Sequence, residues 1–172
     1  MHPVVAQSCI ENKKHMVTAS YVSPSLSELD SKASNAGITI LNELGLDPGI
    51  DHLAAMQVFE QVKAEGGKII SFVSWCGGLP APENSGNPFG YKFSWSPKGA
   101  LLAALNSAKY LENGKIVEIE GENLLSSAKH VSILPGFNFE GIPNRDSTKY
   151  AKLYGIEDAS TIFRGTLRYK VS

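Results

Sequence analysis

Arginine is scarce in this sequence. Arg145, Arg164 and Arg168 are the three, and lysine carries the rest of the positive charge. Cysteine is scarcer still: Cys9 and Cys76 stand at no metal or redox spacing. That excludes a disulfide framework and a zinc motif, and reads as two reduced, buried thiols. Charge of neither sign dominates. The formal net charge is -1, so bulk electrostatics give no case for nucleic acid or an anionic membrane as partner. Long apolar runs are missing; stretches such as Ala100 to Leu105 fall far short of a bilayer span. The opening MHPVVAQSCIENKKH lacks the charged-then-apolar order of a signal peptide, and a cytoplasmic location is expected. There is no internal repeat and no low-complexity tract. No G-x-G-x-x-G turn occurs within the 172 residues, so the usual phosphate-binding turn of a dinucleotide fold is absent from this stretch.

What is present is an ordinary globular balance, 42% hydrophobic and 19% charged, over a length that suits a domain of moderate size. Residues 4–13 read as a short helix with Val4, Val5, Cys9 and Ile10 on one face. HMVTASYV (15–22) reads as a buried strand. Ser23 caps a helix with Pro24 in its first turn, and Gly37 ends it. ITILNEL (38–44) reads as a second strand. GLDPGID then turns into a helix with Ala55, Val58, Phe59 and Val62 together, closed by Gly66-Gly67. KIISFVSW (68–75) reads as a third strand. Helices alternating with strands in this way predict a parallel α/β sheet. GGLPAPENSGNPFG (77–90) reads as a long loop, a kind more often functional than idle. A helix is expected from Ser96-Pro97 to Asn113-Gly114. KIVEIEG (115–121) reads as a half-buried strand, and a further strand is expected near 131–134. A helix over 146–154 and a final strand over 161–171 complete the reading.

In a parallel α/β sheet, ligands bind beyond the carboxyl ends of the strands. Ser20 and Tyr21 stand near the end of the first strand, and Asp47 just past the second. Two readings stay open for Asp47: a cap on the helix begun at Pro48, or part of a polar cleft beside a helix N-terminus. A guanidinium forks onto a carboxylate through two parallel bonds, which lysine cannot do. The three arginines are therefore candidate carboxylate ligands, against the alternative of surface ion pairs. Arg164 and Arg168 share a strand face if no bulge intervenes. His52 has no second ligand at metal spacing, so no metal is expected. Trp95, beside the Gly/Pro-rich loop, is either core or a ring that stacks on a ligand.

Six stretches, VTASYVSPSL, NELGLDPGIDHL, CGGLPAPE, YKFSWSPKG, PNRDSTKY and RGTLRY, resemble consecutive blocks of the glutamate-forming saccharopine dehydrogenases. That family includes the dehydrogenase half of the bifunctional aminoadipic semialdehyde synthases. The resemblance covers nearly the whole chain in order. It implies a fold in two parts. Residues 1–65 would be the C-terminal part of a Rossmann-type parallel sheet, and 66–172 an α/β substrate-binding domain. The glycine-rich turn would lie upstream of Met1, and Val171 stands where the family carries glycine. Trp75 stands in place of a family tyrosine. The implied reaction is oxidation of saccharopine to glutamate and aminoadipate semialdehyde, or its reverse, with NAD or NADP as hydride carrier. Carried over by motif, Ser20, Tyr21, Asp47, Arg145, Thr166, Leu167 and Arg168 would line the substrate. Leu46, Asp47, Pro48 and Trp95 would approach the cofactor. Tyr21 and Asp47 are the candidates for moving protons. Association of two copies through the substrate domain is left open, as is a mitochondrial location for a bifunctional animal-type parent. By itself this stretch is expected to be inactive. A module that binds a dicarboxylate without redox chemistry is the alternative.

Overall fold

The computed structural model describes residues 1–170. The chain divides into two compact units, Met1–Gly67 and Lys68 to the C-terminal end.

The first unit runs α1 (His2–Glu11), β1 (Met16–Val17), α2 (Pro24–Ser27), α3 (Asp30–Asn35), β2 (Ile40–Leu41) and α4 (Ile50–Ala64). The two strands pair in parallel, Met16 with Ile40 and Val17 with Leu41. Buried Ala6, Met16 and Leu26 form the core here, with Cys9, Leu29 and Ile40 packed against it. Local signals mark several boundaries, but the single helix expected between Ser23 and Gly37 is two, α2 and α3, broken at Glu28-Leu29. The Ser23 side chain accepts from the Leu26 N–H at 3.3 Å, with Pro24 in the first turn. Gly66 takes a left-handed φ of 76° behind α4.

Both strands are far shorter than the expected 15–22 and 38–44. Their ends are diverted into local hydrogen bonding. The Ser20 N–H donates to the Thr18 hydroxyl at 3.2 Å, a side-chain turn that competes with the ladder. On the partner segment Glu43 adopts φ 61°, which no strand residue does.

The second unit holds β3 (Ser71–Cys76), α5 (Pro82–Ser85), α6 (Pro97–Ala103), β4 (Ala108–Glu112) and β5 (Lys115–Ile119). It continues with two 3-10 turns, β6 (Lys129–Val131), β7 (Phe139–Pro143), α7 (Tyr150–Tyr154) and β8 (Thr161–Tyr169). All six strands join one mixed sheet with β8 at its centre. One edge of β8 pairs in parallel with β3 over its whole length, Ser71 with Thr161 through Cys76 with Thr166. The other edge pairs antiparallel with β7 along 165–169 and with β4 at Ile162. The expected third strand of the first sheet is therefore β3 of this second sheet. The left-handed turn at Gly66 separates it from α4, and β8 supplies its partner.

Alternation along β8 divides its side chains between two faces. Ile162, Arg164, Thr166 and Arg168 share one face with Phe72, Ser74 and Cys76, their partners or neighbours in register. Helix α7 packs there, the Tyr154 ring meeting Phe72 edge-on at 5.5 Å. The opposite face is apolar. Phe163 lies 4.9 Å from Trp75 and 5.0 Å from Tyr110, ring centre to centre. Leu167 is buried there with Val131 and Phe139. Trp75 spreads over the strand glycines; a Cβ added at Gly165 would come within 2.6 Å of its ring. Trp75 is half-buried and packs against this apolar cluster.

Four further expectations need correction. The helix expected up to Asn113-Gly114 ends at Ala103, and 108–112 is strand β4. Asn113 (φ 50°) and Gly114 (φ 77°) form a two-residue hairpin turn instead of a helix stop. Strand β6 lies at 129–131, ahead of the expected 131–134, and β7 was not anticipated. Helix α7 begins at Tyr150, because Asp146 accepts from the Thr148 N–H at 2.8 Å and its hydroxyl at 2.5 Å, holding 146–148 in a turn. Within the expected 77–90 loop, 82–85 forms one short helix. Of the expected final strand, Val171 lies outside the described residues. Cys9 and Cys76 are both half-buried, and neither is in a disulfide.

Candidate functional site

Each unit carries one polar cluster. In the first, Ser20 and Tyr21 follow β1, and Leu46, Asp47 and Pro48 follow β2, so all five lie beyond the carboxyl ends of paired parallel strands. The Tyr21 hydroxyl donates to Asp47 Oδ1 at 3.0 Å. Tyr21 is about half exposed, whereas Asp47 is half-buried and Pro48 buried. Leu46 turns outward, 66% exposed.

Backbone contacts set the position of this pair. The loop 45–50 closes on itself: Gly45 N–H donates to Pro48 O and Ile50 N–H to Gly45 O, both at 2.9 Å. Gly49 has φ 148°, and a Cβ there would lie 2.5 Å from Gly45 N, so only glycine fits. The Asp47-Pro48 peptide is cis. On the other side, the Ser20 carbonyl accepts from Glu43 N–H at 3.1 Å and from Asn42 Nδ2 at 3.3 Å. Glu43 Oε1 accepts from Val22 N–H at 3.1 Å. The Ser20 hydroxyl bonds His2 Nε2 at 2.8 Å. His52 lies 3.9 Å from Glu43 Oε2 and 4.0 Å from Asp51 Oδ2.

Asp47 lies two residues ahead of Gly49, the N-cap of α4. Helix α4 begins at Ile50 behind Gly49, and Asp51 accepts the Gly49 N–H at 2.8 Å. One carboxylate oxygen of Asp47 accepts from the Tyr21 hydroxyl, the contact that the polar-cluster reading calls for.

The second cluster is built on β8. Thr166 and Arg168 share the face that carries Cys76. Arg168 Nη1 donates to the Leu167 carbonyl at 2.7 Å, and its guanidinium lies 4.7 Å from the Tyr91 ring centre. Burial pushes the Arg168 pKa below its ordinary value, and Tyr91 and Cys76 partly oppose that; the group stays a cation at any working pH. The Leu167 side chain points into the apolar core, so what Leu167 offers a ligand is backbone. Arg164 shares the face of Arg168, as its even spacing predicts, but it is buried and structural. Its N–H donates to Ser147 Oγ at 2.9 Å, its guanidinium donates to the Tyr150 hydroxyl, and the Tyr150 ring lies 4.6 Å from it.

Arg145 is exposed, with φ 50°, in the turn after β7. Register places it away from Arg168: Glu140 pairs with Arg168, and Arg145 lies five residues further on, roughly 15 Å of strand travel. Trp95 is 57% exposed and rests against Gly99 at the start of α6, so it is not a core residue. Sequence reasoning missed Glu43 and Tyr91. A glutamate with φ above zero leaves no trace in the sequence, and a tyrosine in a Gly/Pro-rich loop gives only a faint one. Among the described residues, no group of three or more His, Cys, Asp or Glu could hold a metal, and no helix is long and apolar enough to cross a membrane.

The saccharopine dehydrogenase C-terminal domain matches residues 45–172. The chain is 56% identical over 169 residues to saccharopine dehydrogenase [NADP(+), L-glutamate-forming] of Pyricularia oryzae, covering 98% of this chain and 38% of that one. It is 55% identical over 171 residues to the mitochondrial alpha-aminoadipic semialdehyde synthase of Rattus norvegicus, covering 99% of this chain and 18% of the relative. Among solved structures, apo histidine-tagged saccharopine dehydrogenase (L-Glu forming) of Saccharomyces cerevisiae matches with TM-score 0.89 and 55% identity, over 98% of this chain and 38% of that one. The chain thus spans less than two fifths of the length of these relatives. With that domain matched over most of its residues and a shared fold at more than half identity, the chain belongs to the saccharopine dehydrogenase family.

Proposed function

We propose that this chain supplies substrate-binding and proton-handling groups to an oxidoreductase that splits saccharopine into L-glutamate and 2-aminoadipate 6-semialdehyde, or runs that reaction in reverse. The observation that carries the reading is the Tyr21–Asp47 hydrogen bond beyond the ends of the parallel strands. Saccharopine is a secondary amine bearing three carboxylates. An amine needs a carboxylate beside it, and Asp47 supplies that charge. The carboxylates need planar cations, and Arg168 and Arg145 are the exposed or half-exposed guanidiniums. Their separation suits a long substrate whose carboxylates lie apart. Residues 1–65 act as part of the dinucleotide-binding sheet, and 66–172 as the substrate domain. The break between units after Gly67 supports this division. The matched family domain starts earlier, at residue 45, and so takes in the Asp47 loop and α4.

A nicotinamide ring needs apolar surface to lie on. Leu46 in the first unit and Trp95 in the second each expose one, and each by itself is a candidate for that contact. No residues in this stretch form the glycine-rich cradle for its pyrophosphate. A bound nicotinamide would supply the hydride acceptor for oxidation at the lysine-derived carbon of saccharopine. Asp47 stabilises the positive charge on the substrate nitrogen, and Tyr21 holds that carboxylate in place through its hydroxyl. The same pair relays the proton when water adds to the carbon and the carbon–nitrogen bond breaks. NADP is the form to test first, since the fungal relatives' names carry it. The compartment would follow the parent, mitochondrial in an animal-type bifunctional enzyme and cytoplasmic otherwise.

The test is an assay of the complete polypeptide that contains this chain. Saccharopine-dependent formation of reduced NADP or NAD, with glutamate released in equal amount, is expected. No turnover of saccharopine with either cofactor would overturn the reading and favour a dicarboxylate-binding module.

A further inference from the structure

We propose that Tyr91 is a positioning residue: its ring is the surface on which the Arg168 guanidinium rests while the fork meets a substrate carboxylate. This rests on the reading of Arg168 as a carboxylate ligand. One face of the guanidinium lies over the Tyr91 ring at 4.7 Å. One of its N–H donors is committed to the Leu167 carbonyl at 2.7 Å. Together the two contacts restrict rotation of a long side chain whose rotamer entropy would otherwise oppose binding. The aromatic face adds attraction without consuming a donor of the fork.

A Gly/Pro-rich segment would not hold an aromatic ring in place by itself, and this one is pinned repeatedly. Asn87 fastens Tyr91 at both backbone groups: its Nδ2 donates to Tyr91 O at 2.9 Å, and its Oδ1 accepts from Tyr91 N–H at 3.5 Å. The same side chain donates to Ser85 O at 2.6 Å and accepts from Phe89 N–H at 3.0 Å. The segment is tied to the strand that bears the arginine. The Tyr169 hydroxyl donates to Pro80 O at 2.9 Å. Gly90 (φ 55°) lies so close to Tyr169 that a Cβ would sit 3.3 Å from that side chain. At the start of the segment, a Cβ on Gly77 would be 2.6 Å from Leu167 O. Three attachments thus register the 77–91 segment on β8, and the ring it delivers sits under the cation. Phe93 meets Tyr91 edge-on at 5.3 Å and backs the ring from the chain side.

The test uses the complete enzyme with Tyr91→Phe, Tyr91→Leu, Arg168→Gln and the Tyr91→Leu/Arg168→Gln pair. Phenylalanine keeps the π face and leucine removes it. Tyr91→Leu is expected to raise the KM for saccharopine at least about fivefold, with kcat changed far less and the melting temperature close to wild type. Tyr91→Phe should restore the wild-type KM. In the Arg168→Gln background, Tyr91→Leu should add nothing, because its effect passes through the cation. Equal behaviour of the Phe and Leu variants would overturn the proposal. So would additive effects in the double variant, or a loss of kcat and stability alongside KM. If Arg168→Gln leaves the saccharopine KM unchanged, the carboxylate reading of Arg168 itself fails, and the role of Tyr91 falls with it.

Discussion

The Tyr21 hydroxyl reaches across 26 positions of sequence to donate to Asp47 at 3.0 Å, and this bond ties the loop after β1 to the loop after β2. Helix α4 starts behind Gly49, whose N–H donates to Asp51, so Asp47 stands two residues ahead of that start. Asp47→Asn keeps an acceptor for Tyr21 but cannot neutralise a substrate ammonium or take a proton at neutral pH. Its melting temperature should stay near wild type, while turnover of saccharopine falls at least about tenfold. Tyr21→Phe leaves the charge and removes the donor that aims it, so its turnover should fall less. Thermal melting and steady-state kinetics on the same preparations decide. Wild-type turnover in Asp47→Asn would remove this residue from the chemistry.

Arg145 and Arg168 should bind carboxylates through the guanidinium fork. Lysine keeps the charge and loses the second bond. Arg145→Lys and Arg168→Lys are each expected to weaken saccharopine binding by about 1.5–3 kcal/mol, the range for a hydrogen bond to a charged group. Calorimetric titration would measure it. Arg145 is exposed in the turn after β7, so its replacement should leave stability unchanged. Unaltered affinity in both variants would exclude them as ligands.

Arg164 predicts the opposite pattern, although sequence alone groups the three arginines together. Arg164 is 7% exposed, and its guanidinium is engaged by the Tyr150 hydroxyl and ring. Arg164→Met leaves the aliphatic contacts and abandons those bonds. A loss of about 1.5–3 kcal/mol in unfolding free energy is expected, with the saccharopine KM little changed. Chemical denaturation and kinetics together separate this buried cation from Arg168. A shifted KM with normal stability would show that Arg164 reaches the substrate.

Legibility in the sequence followed the range of the forces involved. Ser23-Pro24, Gly37 and Gly66-Gly67 act within a few residues and mark helix ends in the structure as they do in the sequence. The Ala108–Glu112 strand was hidden because ALLAALNSAKYLE carries good helix formers throughout. Helix preference is a weak prior there, and pairing with β5 and β8 overrides it. The Asn-Gly pair at 113–114 is itself a hairpin signal, and reading it as a helix stop was the error. Of the site, Tyr21, Asp47 and Arg168 are legible by motif. Arg164 looks the same as Arg168 until Tyr150 is seen beneath it. Glu43 and Tyr91 depend on contacts across loops, which no local pattern encodes.

Glu43 combines a backbone cost with a side-chain gain, and the two can be separated by substitution. Its φ of 61° is left-handed, which costs a non-glycine residue about 1–2 kcal/mol. In return its N–H donates to Ser20 O and its Oε1 accepts from Val22 N–H, both at 3.1 Å, so one residue grips the Ser20–Val22 loop on both sides of Tyr21. Glu43→Ala keeps the unfavourable backbone and loses the Val22 bond, and should destabilise by about 1–2 kcal/mol. Glu43→Gly loses the same bond but relieves the backbone, and should be more stable than Glu43→Ala by about 1 kcal/mol. Glu43→Gln retains an oxygen for Val22 and should stay closest to wild type. Hydrogen exchange at the Val22 amide should quicken in the Ala and Gly variants and hold steady in Gln. Equal stability of the Ala and Gly variants would show that the left-handed backbone costs nothing here. Unchanged exchange at Val22 in all three would show that the Glu43 carboxylate does not hold the loop that presents Tyr21.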